Sequence, residues 1–245
     1  MKLLCCVTYK GTNYQGWQKQ PDAPTIQGEI ERVLSQILNT EITVFGSGRT
    51  DAGVHADNQY IHFVVDKAVD IEKLRYSANC LLPKDIFIKK ICSVDDDFHA
   101  RYSAKGKTYR YQIRFGERNP LKEGLEASIP YNVDINLLIE SLKLFEGEHY
   151  FGNFTSKEDD EDGFVRKIYS VECDYDEKTK QFTVVFKGNG FMRYQIRDMV
   201  GTALAVSIGK ENIEYIKSHL VKGENREIVS YKAQPEGLYL VDVDY

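Results

Sequence analysis

The chain has 245 residues, a net charge of −5 and an ordinary globular composition, enough to bury a full core as one large domain or two small ones. No apolar run reaches the length of a membrane span, and Leu3 to Val7 is too short for a signal-peptide core, so the expected location is the cytoplasm, with no membrane partner. The five cysteines include no Cys-x-x-Cys and the five histidines no pair at metal-ligand spacing, which predicts buried, reduced thiols and no bound metal.

In chain order, Lys2 to Tyr9 reads as a strand. Thr25 caps a helix whose apolar positions Ile26, Ile30, Val33, Leu34, Ile37 and Leu38 recur at three- and four-residue spacing. Ile42 to Phe45 and Gln59 to Val65 read as strands, Ile71 to Leu82 as a helix ended by Pro83, and Ile86 to Val94 as a strand. That order, β-α-β-β-α-β, is the split βαβ or ferredoxin-like pattern. The second half repeats it. Lys105 to Phe115 is a strand and Asn136 to Phe145 a helix. Val165 to Tyr175 and Phe182 to Lys187 form a hairpin, Phe191 to Ile208 and Ile213 to Leu220 are helices, and Leu238 to Val243 is a strand. The expected fold class is α+β: two ferredoxin-like (RRM-like) lobes with antiparallel sheets, residues 1–100 and 101–245, with the boundary between Asp95 and Ala104. A cleft between two such halves is the natural place for a site.

The segment Gly46 to Ala56 (GSGRTDAGVHA) sets three glycines around a single carboxylate, Asp51. Glycines so close suit an irregular backbone that can aim a side chain at a ligand. Arg49 stands two residues before Asp51 and can hold it ionised, and His55 stands four after. The blander reading is a turn in which Asp51 bonds only its own backbone. No Gly-Lys-Ser/Thr follows Gly48, which excludes a P-loop, and no second Asp-Ser/Thr-Gly occurs, which excludes the aspartic-protease pair. From Arg101 to Lys122 the local balance is +6, a stripe that can face phosphates, whereas the acidic run Glu158 to Asp162 is most simply a solvated loop.

The segment Gly48-Arg-Thr-Asp-Ala-Gly-Val-His55 resembles the catalytic motif of TruA-type tRNA pseudouridine synthases. Further matches are Tyr9-x-Gly11 with Tyr14-Gln-Gly-Trp-Gln18, Asp97-Phe-His-Ala-Arg101, Tyr109-Arg-Tyr111, Ile196-Arg-Asp-Met-Val-Gly201 and Glu236-Gly-Leu-Tyr-Leu240. The family more often has Met-Val-Arg-Asn where this chain has Gln-Ile-Arg-Asp, with Arg197 retained. The resemblance implies two ferredoxin-like lobes joined across a central catalytic cleft. It implies isomerisation of uridine to pseudouridine at positions 38 to 40 of the tRNA anticodon stem-loop, without a cofactor, by a homodimer. Asp51 would be the nucleophile or base, Tyr109 would pack against the target base, and Arg197 would pair with the catalytic carboxylate from the second lobe.

Beside that carry-over, the residues have local readings. Arg197 can be a surface helix arginine four after Arg193, and Tyr109 or Tyr111 a half-buried strand tyrosine. His55 can brace its loop or touch a phosphate. Trp17 reads as packing. Arg101, Lys105, Lys107, Arg110 and Arg114 are candidate phosphate contacts, though strand alternation prevents all from facing one way. The rival function is a non-catalytic RNA binder with two RRM-like lobes, but no RNP1-like run is present. A hydrolase built on Asp51 lacks the partner groups it would need.

Overall fold

The computed structural model of the chain describes residues 1–159 and 162–245. It is a mixed α+β protein with ten strands, mostly antiparallel, and five helices among the described residues. The chain forms two compact units, Met1–Lys105 with Tyr239–Tyr245, and Gly106–Leu238. Arg101 and the last strand therefore belong to the first unit.

In the first unit, β1 (Lys2–Tyr9) lies between β3 (His55–Val64) and β4 (Ile86–Val94), antiparallel to both. The two-residue β2 (Phe45–Gly46) pairs with β3. The last strand, β10 (Leu238–Asp244), runs parallel to β3 through Tyr239↔His55 and Leu240↔Ala56. Alternation buries Leu3, Cys5, Val7 and Tyr9 of β1. Helix α1 (Ile26–Leu38) adds Ile26, Ile30, Val33 and Leu34 to the core, each such side chain contributing roughly 1.5–3 kcal/mol of burial. Thr25 caps α1 by accepting the Gly28 N–H, and Asp70 caps α2 (Ile71–Leu81) by accepting that of Lys73.

In the second unit the sheet order is β5 (Gly106–Phe115), β9 (Gln181–Gly188), β8 (Val165–Asp176), β7 (Gly147–Tyr150), all antiparallel, with β6 (Ala127–Ile129) paired in parallel to β5. Helices α3 (Ile135–Lys143) and α4 (Gln195–Ser207) pack together, and α5 (Ile213–His219) follows. Every residue of α4 except Arg197 is buried.

Several sequence expectations need correction. Ile42 and Val44 are buried, but the segment they bound is not a strand. Its backbone is bonded by α1 side chains instead: Ile42 N–H donates to Ser35 Oγ, Val44 N–H to Glu31 Oε1, and Gln27 Nε2 to the Val44 carbonyl. β3 begins at His55 rather than Gln59, where β10 pairs with it. α4 begins at Gln195 rather than Phe191, because Tyr194 adopts a left-handed φ of 65° that breaks the helix. β6 and β7 elaborate the expected second-half order. All five thiols are free, but only Cys5 is buried and Cys80 is exposed. Glu158, Asp159 and Asp162 of the acidic run are exposed, while Asp160 and Glu161 lie outside the described residues. Among the described residues no helix is long and apolar enough to cross a membrane.

One buried group makes the first unit acid-sensitive. The His62 Nδ1 accepts the Ala100 N–H at 3.1 Å, and Phe45 stacks on its ring at 5.1 Å. Burial, with His99 and Lys2 nearby, pushes its pKa down to about 4. The unfolded imidazole, near its ordinary 6.5, takes up a proton first as pH falls. Stability is therefore lost between about pH 6.5 and 4 and no further below, by up to about 3 kcal/mol from this group. The pH dependence of the urea midpoint should be shallower over that range in His62→Gln than in wild type. Parallel curves would refute the assignment.

Candidate active site

Asp51 sits in a turn closed by its own main chain, with its carbonyl accepting the Val54 N–H at 3.2 Å and Gly53 at φ 79° in the third position. The turn does not require the carboxylate. Asp51 is half-buried, and neighbouring Thr50 is buried with its Oγ1 2.8 Å from the Tyr9 hydroxyl.

The early glycines let the chain pack closely against this loop. Trp17 N–H donates to the Thr50 carbonyl at 3.0 Å, and Gly53 N–H to that of Tyr14 at 3.4 Å. Gly16, at φ 90°, packs so closely that a Cβ would lie 2.7 Å from the Thr50 oxygen. A Cβ on Gly11 would lie 2.0 Å from the Val54 oxygen. Gly46 likewise rests on the buried Trp17 indole, 2.9 Å from where its Cβ would be. Ser47 Oγ and Gln59 bond each other, and Gln59 Nε2 donates to the Gly48 carbonyl at 2.8 Å. Two segments matched as sequence motifs, residues 9–18 and 46–56, are thus the two halves of one structure.

His55 is 1% exposed. Its Nδ1 accepts the Gly11 N–H at 3.0 Å, which requires that nitrogen to be unprotonated, and its ring lies 4.6 Å from that of Tyr239. It braces the loop. Arg49 is exposed. Arg101 is exposed, its Cζ 5.7 Å from the ring of Tyr102, itself 78% exposed. The Arg101 N–H donates to His99 Nδ1 at 3.1 Å.

In the second unit, Tyr109 lies on β5 opposite Phe186, 7% exposed, with the Phe191 ring edge-on at 5.3 Å. Tyr111 is wholly buried rather than half-buried, and its hydroxyl donates to the Gln234 carbonyl at 2.6 Å. Burial raises its phenol far above the ordinary range. Gly237 lies against the Tyr111 ring, 2.6 Å from where its Cβ would be. Arg197 is no free helix-surface arginine. Its Nε donates to the Ala233 carbonyl at 2.8 Å, its own carbonyl accepts the Ala233 N–H at 2.9 Å, and Arg193 lies before the helix begins. Arg114 is withdrawn from the basic stripe, since it is bonded to buried Glu126 and to the Thr179 carbonyl.

Tyr9, Gly11, Gly16 and Gln59 all contact this loop or its flanks, and the first three lie in the segments that resemble the family. Among the described residues no cluster of His, Cys, Asp or Glu is suited to a metal ion.

Comparison with known proteins identifies the family. Residues 5–103 and 142–245 match the family model described as tRNA pseudouridine synthase. A tRNA pseudouridine synthase A of Geobacillus sp. (strain WCH70) is 40% identical over 246 aligned residues, covering 100% of this chain and 98% of that protein. The protein of the same description from Streptococcus agalactiae serotype Ia is 37% identical, covering 98% and 93%. Among solved structures, a chain of a Cbf5–Nop10–Gar1 complex aligns at a TM-score of 0.40 and 13% identity, over 97% of this chain and 57% of that one. That likeness is too low to carry an argument. The family match and the identities over nearly the full length do: the chain belongs to the tRNA pseudouridine synthases, a family of isomerases.

Proposed function

We propose that this protein converts uridine to pseudouridine at positions 38–40 of the tRNA anticodon stem-loop, with Asp51 as nucleophile or base, without a cofactor, as a cytoplasmic homodimer. The reaction breaks the bond between uracil N1 and the ribose anomeric carbon, turns the base, and forms the bond from carbon 5. The carbon-5 hydrogen leaves as a proton and N1 gains one, so no redox partner is needed. One well-aimed carboxylate can serve such a reaction. The observation that carries the reading is the Asp51 loop, bonded by main chain to Tyr14 and Trp17 and packed closely by Gly11 and Gly16.

The two units are read as ferredoxin-like lobes, the first carrying Asp51, the second Tyr109 and Arg197. Arg197 is assigned as the cation that balances the catalytic carboxylate, a role taken from the family resemblance of its segment. Tyr109 packs against the target base, a contact worth roughly 1–3 kcal/mol. That offsets part of the few kcal/mol needed to extrude the nucleotide. Exposed Arg49 and Arg101 are assigned to phosphates, and His55 to bracing.

The test is tritium release from tRNA labelled at carbon 5 of uridine, since pseudouridine and uridine have equal mass. The expected result is release that disappears when positions 38–40 hold no uridine. Tight binding with no release would instead favour a non-catalytic RNA binder. Undiminished release without those uridines would refute the assigned positions.

A further inference from the structure

Asp198 follows Arg197 on α4 and is 2% exposed. A carboxylate so deeply buried needs a cation or several donors. Its Oδ1 lies 3.6 Å from the Lys232 Nζ, and its place in the first turn of α4 also favours a negative charge. The same Lys232 Nζ sits 3.9 Å from the centre of the Tyr194 ring, the residue whose left-handed backbone starts the helix. Arg197 Cζ lies 5.5 Å from that ring. Lys232 also adjoins Ala233, which holds Arg197 by main chain and by Nε. The 231–233 segment lies flat on α4 because Gly201 has no side chain, a Cβ there being 2.7 Å from the Lys232 nitrogen.

We propose that Lys232 is a positioning residue for Arg197: bridged to buried Asp198 and seated on Tyr194, it pins the 231–233 segment that sets the guanidinium's place. The proposal rests on the reading of Arg197 as the cation serving the catalytic carboxylate. With Nε committed to Ala233, the two Nη groups are the ones a carboxylate meets, so a slip of the segment moves them directly. Lys232 on this view does not itself touch RNA.

Tritium release under saturating and limiting tRNA tests it, with melting temperature measured alongside. Lys232→Met should lower kcat by about tenfold to a hundredfold, the scale of a 1 Å misplacement, with KM within about twofold. Lys232→Arg should restore most of kcat. Asp198→Asn combined with Lys232→Met should lower kcat no further than Lys232→Met alone, because both substitutions break the same bridge. Three results would overturn the proposal. One is a raised KM with unchanged kcat and a salt slope lower by about one, the signature of a phosphate contact. Another is a lowered melting temperature with unchanged kcat. The third is a double variant whose kcat falls well below that of Lys232→Met. Arg197→Ala, assayed in parallel, separates the two claims. If it turns over normally, the reading of Arg197 falls; if it is inactive while Lys232→Met keeps its kcat, only the present proposal falls.

Discussion

Asp51→Asn is expected to fold, to bind tRNA as the wild type does, and to release no measurable tritium. The loss should be at least about 10³-fold, since an amide can neither attack carbon nor accept a proton at neutral pH. The argument for retained folding is local. The Asp51 turn is closed by main-chain groups, and its flanks are tied by Tyr9 to Thr50 and by Trp17 N–H to the Thr50 carbonyl. Asparagine has the same shape, so the melting temperature should move by only a few degrees. A variant that still turns over would keep the isomerase and remove Asp51 from its mechanism. A variant that fails to bind tRNA would make Asp51 a recognition residue.

The second large effect comes from a residue with no chemistry of its own. Gly11→Ala places a Cβ 2.0 Å from the Val54 oxygen, and the obstacle is backbone, not the end of a flexible side chain. Either β1 or the Asp51 loop must shift. We expect a loss of about 2–4 kcal/mol in stability, as for an overpacked core site. On the protein that remains folded, kcat should fall by about a hundredfold, because the carboxylate moves with its loop. Gly190→Ala is the control: no atom lies within 4 Å of its Cβ, and neither property should change. Urea titration and tritium release on the same preparations decide the matter. A Gly11→Ala protein with wild-type kcat would show that the loop is placed by something other than this contact.

These two residues also show where sequence was a good guide. Regular elements with strong periodicity and clear ends matched almost residue for residue, as in β1, in α1 after Thr25 and in α2 before Pro83. The misses share a cause, a partner remote in sequence. Ile42 and Val44 alternate like a strand because they are buried, yet their hydrogen bonds go to Ser35 and Glu31 on α1. His55 joins β3 because Tyr239 pairs with it. Arg114 looks like a free cation until Glu126 captures it. His62 and His99 have no ligand-like spacing, yet the fold brings their rings to 4.6 Å. At the loop, glycine content alone was enough to predict an irregular backbone around Asp51. The sequence could not show that Gly11 and Gly16 are small for that loop's sake.

The pairing of β10 with β3 governs how such a chain can be born. A ribosome makes the Asp51 loop in the first quarter of the sequence, but β3 next to it lacks its parallel neighbour until residues 239–245 have been added. Those residues also supply the Val241 carbonyl that accepts from Asn58 and the Tyr245 hydroxyl that donates to the Ala100 carbonyl. Through most of translation the edge beside His55 is unpaired, open to wrong strands and to other nascent chains. Closing it links residues almost two hundred positions apart, a slow step by the rule that distant contacts form late. A chain cut short before Tyr239 would leave that edge of β3 without its parallel neighbour.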